Sequence, residues 1–152
     1  MTIRDATIAD VSAVSSFVTE MAQRHIAPSL TVDGLTVLLG SMDIESTRQR
    51  ISNGWLHIVD LSGGRLRGVI VVRPPTHLYH LFVDTQHQRS GIGRRLFDLA
   101  DERTVRETRS PIRTVNASLN AIEIYRCLGF EISGPVVESD GVRFQPMTRI
   151  AH

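Results

Sequence analysis

The sequence contains no lysine and only one cysteine, and each shortage excludes a class of chemistry. Without lysine the chain cannot build a P-loop, which requires that residue, and it has no lysine to serve as a base. A single cysteine cannot close an internal disulfide, which is typical of the reducing cytosol, so we expect a cytoplasmic protein. No apolar run approaches the length of a membrane span, and the first residues do not resemble a signal peptide.

The sequence has no large excess of either charge: it contains 17 basic and 16 acidic residues, and the formal net charge is +1. This balance provides no general attraction to nucleic acid or to an anionic membrane, so we expect neither as a partner. The 152 residues, of which 41% are hydrophobic, suffice for one well-filled core. We therefore predict a single domain over residues 1–152.

Hydrophobic periodicity and turn signals predict strands and helices in the same chain. Strands are predicted at residues 2–6, 55–61, 66–73, 77–83, 112–115, 130–137 and 142–150. Helices are predicted over about residues 7–27, as two short pieces within 30–52, over 91–108, and around Tyr125. Glycine-containing turns at residues 62–64 and 139–141 predict two hairpins.

The most informative stretch joins an apolar strand, which ends at residues 81–83, to a helix through a glycine-rich turn at residues 88–93. The first N–H groups of a helix have no partner within it, and the helix dipole favours an anion there. Gly91 and Gly93 carry no Cβ, so a diphosphate can approach the main chain closely. Neighbouring arginines add positive charge, and the stretch therefore predicts a phosphate-binding helix N-terminus.

Two common phosphate loops do not fit this turn. The P-loop requires lysine, and the dinucleotide fingerprint requires a glycine where the chain has Leu96. The remaining pattern, Gln-x-x-Gly-x-Gly after a strand that ends in Val83, resembles the GNAT-type N-acetyltransferases. A second block, from Asn116 to Phe130 with Tyr125-x-x-Leu-Gly-Phe at its end, resembles the other motif of the same family.

The resemblance implies an α+β fold with a mixed, mostly antiparallel sheet of about seven strands, splayed in the middle and flanked by four or five helices. It implies direct transfer of an acetyl group from acetyl-CoA to the primary amine of a small molecule, without a metal. Many relatives are dimers, so we expect a homodimer. The residues that match the family's coenzyme site are Leu81, Phe82, Val83, Gln88, Arg89, Ser90, Gly91, Ile92, Gly93, Arg94, Asn116 and Ser118.

Acetyl transfer requires a polarised thioester carbonyl, a neutral amine and a protonated leaving thiolate. The resemblance implies that backbone N–H groups near Leu81 and Val83 polarise the thioester oxygen, which is catalysis by preorganised donors. It also implies that the phenol of Tyr125 donates a proton or a hydrogen bond to the departing thiolate.

The base that would take the proton of the amine has three candidates. Some relatives place a glutamate base eleven residues before the motif glutamine, and that position is His77 here. His80 is the rival, since any histidine titrates near neutral pH, and many relatives use only water. Strand alternation predicts His77, Tyr79 and Leu81 on one face, with His80 on the other.

The resemblance implies that the acceptor enters between the N-terminal helices and the strand around His77. The segment over residues 21–52 is mostly apolar before Asp43, which suggests a small, partly apolar amine. Within this description a peptide N-terminus, an amino acid, a polyamine and an aminoglycoside all stay open as acceptors. A competing hypothesis is a non-catalytic acyl-CoA-binding sensor or scaffold, because a fold does not by itself fix a function.

Overall fold

The computed structural model describes residues 2–150, in which one open sheet carries helices on both faces. The helices are α1 (Val11–His25), α2 (Val32–Gly40), α3 (Ile44–Ser52), α4 (Ile92–Thr108) and α5 (Ile122–Cys127). The strands are β1 (Thr2–Asp5), β2 (Leu56–Ser62), β3 (Arg65–Arg73), β4 (His77–Val83), β5 (Thr114–Ala117), β6 (Phe130–Ile132), β7 (Val137–Ser139) and β8 (Val142–Arg149). Short 3-10 turns fill several of the connections.

The sheet runs in the order β1-β2-β3-β4-β5-β8-β6, and β7 pairs with β8 beside that path. Its neighbours are antiparallel except for β4 and β5, which are parallel. These two strands pair only at His77 with Thr114 and at Leu78 with Val115, and they diverge beyond Leu78. The predicted α+β fold with a mostly antiparallel, splayed sheet is therefore confirmed.

Two hydrophobic cores lie on opposite faces of the sheet. The first packs under α4 and α5, where Leu96, Phe97 and Ala100 are fully buried at helical spacing. The second packs under α1, where Val14 and Met21 are buried against the other face. Burial of each large apolar side chain stabilises the fold by about 1.5–3 kcal/mol, so the two cores fix both helical layers on the sheet.

A bulge in β4 changes which residues face each core. The register shifts where Val71 of β3 pairs with His80 and the next residue, Val72, pairs with Leu78. Tyr79 is therefore the extra residue of the bulge. Leu78 packs into the first core with Leu81, and Tyr79 packs into the second. The predicted alternation was wrong, because it placed Tyr79 and Leu81 on one face.

The C-terminal strands also differ from the prediction. The strand predicted over residues 130–137 is two strands, β6 and β7, which both pair with β8. Pro135 between them has no backbone N–H to donate to the ladder. The hairpin predicted at residues 139–141 is confirmed, with φ of 54° at Asp140 and 78° at Gly141, as a two-residue turn of this type requires.

Gly34 in α2 lies against this hairpin turn, which leads to a stability prediction. A Cβ on Gly34 would lie 2.1 Å from the backbone oxygen of Gly141. We expect Gly34→Ala to lower the free energy of unfolding by about 1–3 kcal/mol, because the two backbones must separate. Gly40→Ala is the matched control in the same helix, since a Cβ there has nothing within 4 Å. Urea unfolding that shows equal stability for both variants would contradict the contact.

Candidate active site

The turn that follows β4 is held in place by its own side chains. The Asp84 carboxylate accepts a hydrogen bond from the backbone N–H of Gln86 at 3.2 Å and starts a 3-10 turn. The Ser90 hydroxyl donates to the backbone oxygen of His87. Gln88 Nε2 donates to the backbone oxygen of Val83 at 3.2 Å, which ties the turn to the end of the strand. The motif glutamine therefore shapes the turn.

The N-terminus of α4 has free donors. Gly91 occupies the cap position with a φ of 87° and provides no side-chain cap. The first internal bond runs from the N–H of Arg95 to the oxygen of Gly91 at 3.0 Å. Among residues 2–150 no acceptor is found for the N–H groups of residues 92–94. These donors and the dipole of a 17-residue helix point at one place, which suits a phosphate.

The space in front of this helix end is open. A Cβ on Gly91 would have nothing within 4 Å, whereas a Cβ on Gly93 would lie 3.5 Å from Val83 Cγ2, an ordinary contact. The backbone at Gly91 has a positive φ that favours glycine, but the backbone at Gly93 does not. Glycine at position 93 is therefore not required by the fold, and its missing side chain leaves room for a ligand.

The two arginines expected at the phosphate site differ in their surroundings. Arg94 Nη1 donates to the backbone oxygen of Cys127 at 3.0 Å, and its Nε lies 3.5 Å from the carboxylate of Asp98. Arg94 thus ties the start of α4 to the end of α5. Arg89 is exposed and has no ion-pair or hydrogen-bond partner within the described chain, so its charge remains available to an anion.

Free backbone donors also line the gap between β4 and β5. The N–H of Asp84 donates to the oxygen of Arg67 at 2.7 Å, which fixes the hydrogen-bonding phase of β4 against β3. Alternate residues of an antiparallel strand bond to the same neighbour, so the N–H groups of Leu81 and Val83 face away from β3. They face β5, with which β4 no longer pairs at this level.

Tyr125 lies on α5 with its ring buried against Phe130, edge to face, with centroids 6.0 Å apart. No hydrogen-bond partner for its hydroxyl is found in residues 2–150. Burial raises the pKa of the Tyr125 phenol to about 12. The phenol therefore keeps its proton at neutral pH and has it free to donate.

Asn116 and Ser118 occupy different surroundings from the phosphate turn. Asn116 stands between two buried residues of β5, Val115 and Ala117, so its exposed side chain points to the opposite face. The Ser118 hydroxyl donates to Asn120 Oδ1 at 3.0 Å, and the Asn120 amide donates to the backbone oxygen of His25. The structure does not bring Asn116 to the α4 N-terminus.

Both histidines of β4 are neutral at physiological pH. Burial, and then the charge of Arg73, lowers the pKa of His77 to about 4, and its Nδ1 lies 2.8 Å from the Thr114 hydroxyl. Burial first, and then Arg50 and His57, lowers the pKa of His80 to about 3. His80 Nε2 is buried with no partner in the described chain.

These shifts predict that the protein loses stability in mild acid. Both folded-state pKa values lie below the 6.5 of a free histidine, so the unfolded chain binds protons first as the pH falls. The contribution of these neutral histidines is full above pH 6.5 and is lost as the pH falls below it. For the fully buried His80 the loss between pH 7 and pH 5 is about 2 kcal/mol, and for the partly exposed His77 it is smaller because solvent screens the charge.

The measurement is urea unfolding at pH 7 and pH 5, with His80→Phe as the comparison. The phenylalanine cannot titrate, so we expect this variant to lose clearly less stability than the parent protein, and His77 and His57, whose pKa values burial also lowers, account for the loss that remains. Asp10, whose pKa its hydrogen bond with Arg4 lowers to about 2, stays ionised in this range. If the parent protein were equally stable at the two pH values, the conclusion that the folded protein keeps these histidines neutral would be contradicted.

Arg50 is a feature that the sequence did not reveal. Its guanidinium carbon lies 4.7 Å from the centre of the Tyr79 ring and 5.4 Å from that of Trp55. Its Nη2 donates to the Tyr79 hydroxyl at 2.9 Å. We name these three residues the Arg50 platform. Nothing in the sequence separates Arg50 from the other arginines, since the contact depends on how α3 lies over β4.

Within residues 2–150, no group of three or more His, Cys, Asp or Glu side chains is arranged to hold a metal ion. Over the same residues, no helix combines the length and the apolar character needed to cross a membrane.

Comparison with known proteins agrees with this geometry. Residues 26–151 match the family described as "Acetyltransferase (GNAT) domain". The fold is similar to a GCN5-related N-acetyltransferase from Rhodopseudomonas palustris, with a TM-score of 0.81 and 20% identity, over 97% of this chain and 94% of that one. No curated protein matches the sequence.

Two further solved structures share the fold. PaiA N-acetyltransferase from Thermoplasma acidophilum, in complex with coenzyme A, has a TM-score of 0.72 and 16% identity, over 98% of each chain. A ribosomal-protein-alanine N-acetyltransferase from Brucella melitensis has a TM-score of 0.68 and 22% identity, over 99% of this chain and 100% of that one. At identities of 16–22%, these solved structures show that the fold is shared and nothing more specific.

Proposed function

The chain belongs to the GNAT acetyltransferase family, and from this premise we propose that it moves an acetyl group from acetyl-CoA to the primary amine of a small molecule. The observation that carries the proposal is that two sets of free backbone N–H donors occur in consecutive parts of the chain. One set lies at the N-terminus of α4, and the other lies along the open edge of β4 at Leu81 and Val83. A coenzyme with a diphosphate and an extended arm can use both sets at once.

The Thermoplasma relative supports this choice, because its structure contains coenzyme A on the same fold. In this chain, the proposed diphosphate contacts are the N–H groups of residues 92–94 and the unpaired guanidinium of Arg89. The proposed contact to the thioester oxygen is a free N–H group of β4. Holding both substrates in the gap supplies the proximity that a reaction between two molecules lacks in solution.

In the proposed reaction the amine nitrogen attacks the thioester carbon, so a C–N bond forms and the C–S bond breaks. The thiolate leaves with the bonding electron pair and takes the proton of the Tyr125 phenol. A phenol with a pKa of about 12 is protonated at neutral pH but is a weaker acid than a free tyrosine, so it releases this proton only as negative charge develops on the departing sulfur beside it. Solvent then returns a proton to Tyr125, and the amine loses one, which balances the charges.

The proton of the amine is assigned to water. A general base works best with a pKa near the working pH, and the pKa values of about 4 for His77 and about 3 for His80 lie well below it. His80 is buried and neutral, and its Nε2 has no hydrogen-bond partner among the described residues. His77 is held by Thr114, its partner in the first of the two paired positions of β4 and β5.

A non-catalytic acyl-CoA sensor is the alternative, and the low pKa values of the two histidines favour it. A thiol-release assay with acetyl-CoA and a panel of primary amines separates the two functions. Release of coenzyme A that depends on an amine, with the acetylated amine found by mass spectrometry, supports the transferase. Tight coenzyme binding without transfer to any amine would support the sensor.

A further inference from the structure

We infer that the Arg50 platform binds a carboxylate of the acceptor, so that the acceptor is an amine with a carboxylate close to it, as in a free amino acid. The inference rests on the proposed function, because it names the acceptor of that reaction. It is carried by a half-buried guanidinium that donates to the hydroxyl of Tyr79 in β4 and has no acidic partner within 4 Å among the described residues.

The guanidinium of Arg50 is oriented before any ligand arrives. Two aromatic rings and the Tyr79 hydroxyl fix its plane, which removes much of the rotamer entropy that a free arginine loses on binding. Guanidinium carries five N–H donors in a fork that matches a carboxylate. Among the described residues Arg50 uses one of its side-chain donors, on Tyr79.

Arg50 also lacks a counter-ion. No Asp or Glu oxygen within residues 2–150 lies within 4 Å of its guanidinium, although ten such pairs occur elsewhere in the described chain. Its charge is the weakest of the causes that lower the pKa of Asp43, which lies seven residues earlier and caps α3. Seven helical residues span about 10 Å, so Asp43 cannot neutralise it.

The neighbours of Arg50 are basic as well. His57 of β2 and His80 of β4 both pair with Val71 of β3 and so lie in one row across the sheet. The charge of Arg50 contributes to the lowered pKa of each histidine. Burial keeps His80 neutral, so the positive charge on this face is that of Arg50, and among the described residues no carboxylate lies within 4 Å of it to offset that charge.

The platform lies at the level where the chemistry is proposed. Tyr79 directly follows Leu78, the last residue of β4 that pairs with β5. It belongs to the second core with α1, on the face opposite to Tyr125 and α5. A carboxylate on Arg50 therefore lies one tyrosine side chain from the gap, and an amine a few bonds away reaches the thioester from the face opposite to Tyr125.

The test compares L-amino acids with their amides, for example leucine with leucinamide and phenylalanine with phenylalaninamide. Each amide is nearly the same size but lacks the charge, and its more acidic ammonium leaves more neutral amine, which biases the comparison against the inference. We expect kcat/KM to be about tenfold to a hundredfold higher for the acids, the worth of a charge-assisted hydrogen bond.

Two variants assign this preference to Arg50. Arg50→Gln should abolish the preference for the acid, so that the amide reacts as fast or faster, while the KM for acetyl-CoA stays unchanged. Arg50→Lys should keep a reduced preference for the acid because it keeps a point charge. Calorimetry with coenzyme A shows whether each variant is folded. If Arg50→Gln does not fold, a full preference in Arg50→Lys overturns the inference and a reduced one supports it.

The remaining outcomes are separate. Equal rates for acid and amide, a preference for the amide, or transfer only to amines without a carboxylate would overturn the inference and leave the transferase in place. A preference for the acids that survives in Arg50→Gln would also overturn it. Failure of every amine to release the thiol would instead contradict the proposed function itself.

Discussion

Turnover of the Tyr125→Phe variant is expected to fall by about 10²–10⁴-fold, which is the usual contribution of a general acid. The change removes one hydroxyl and keeps the ring that packs on Phe130. The thiolate must then leave without its proton donor. The KM for acetyl-CoA should stay constant, because the phenol acts on the leaving group.

The chain contains two tyrosines, so Tyr79→Phe is the matched control. This variant removes a phenol on the face of the sheet opposite to Tyr125. With an acceptor that has no carboxylate, which does not need the Arg50 platform, we expect less than a tenfold change in kcat. Steady-state thiol release measures both variants. A Tyr125→Phe enzyme with the turnover of the parent would remove Tyr125 from the mechanism and leave only its packing role.

Gly91→Glu is expected to abolish coenzyme binding, for two reasons. A side chain at Gly91 enters the open space in front of the α4 N-terminus, where a Cβ has nothing within 4 Å. The carboxylate then occupies the position that the helix dipole offers to an anion and repels the diphosphate. Calorimetric titration with acetyl-CoA should show no binding heat.

The control variant must introduce the same backbone strain as Gly91→Glu. Gly91 has a φ of 87°, and a side chain in this region costs about 1–2 kcal/mol. Gly64 in the β2–β3 hairpin has a φ of 79° and also has nothing within 4 Å of a Cβ. Gly64→Glu should therefore lose similar stability and bind acetyl-CoA normally. Equal loss of affinity in both variants would assign the effect to strain.

The sequence predicted the local features of this protein well. The turn around Gly91, the helix that follows it and the hairpin at Asp140-Gly141 depend on residues close together in the chain, and each lies where the pattern predicted it. The predicted fold class was confirmed by the observed sheet. It could be predicted because the order of the strands and the two motifs indicate the same architecture. The contacts of Gln88 and the free phenol of Tyr125 are consistent with the roles that we propose.

The features that the sequence missed depend on strand pairing. A bulge at Tyr79 places Leu78 and Leu81 on the same face of β4 and Tyr79 on the other, contrary to simple alternation. The sequence of one strand does not show where the neighbouring strand leaves a residue unpaired. The Arg50 platform requires α3 and β4 to be adjacent, although 29 residues separate Arg50 from Tyr79.

The central claim is that the free N–H groups at the start of α4 bind a diphosphate. Calorimetric titration of the protein with coenzyme A and with pantetheine, which lacks the diphosphate and the nucleotide, tests it most directly. We predict binding of coenzyme A with an affinity at least about a hundredfold above that of pantetheine, since several charge-assisted hydrogen bonds are lost. Equal affinities, or no heat with coenzyme A, would contradict the claim.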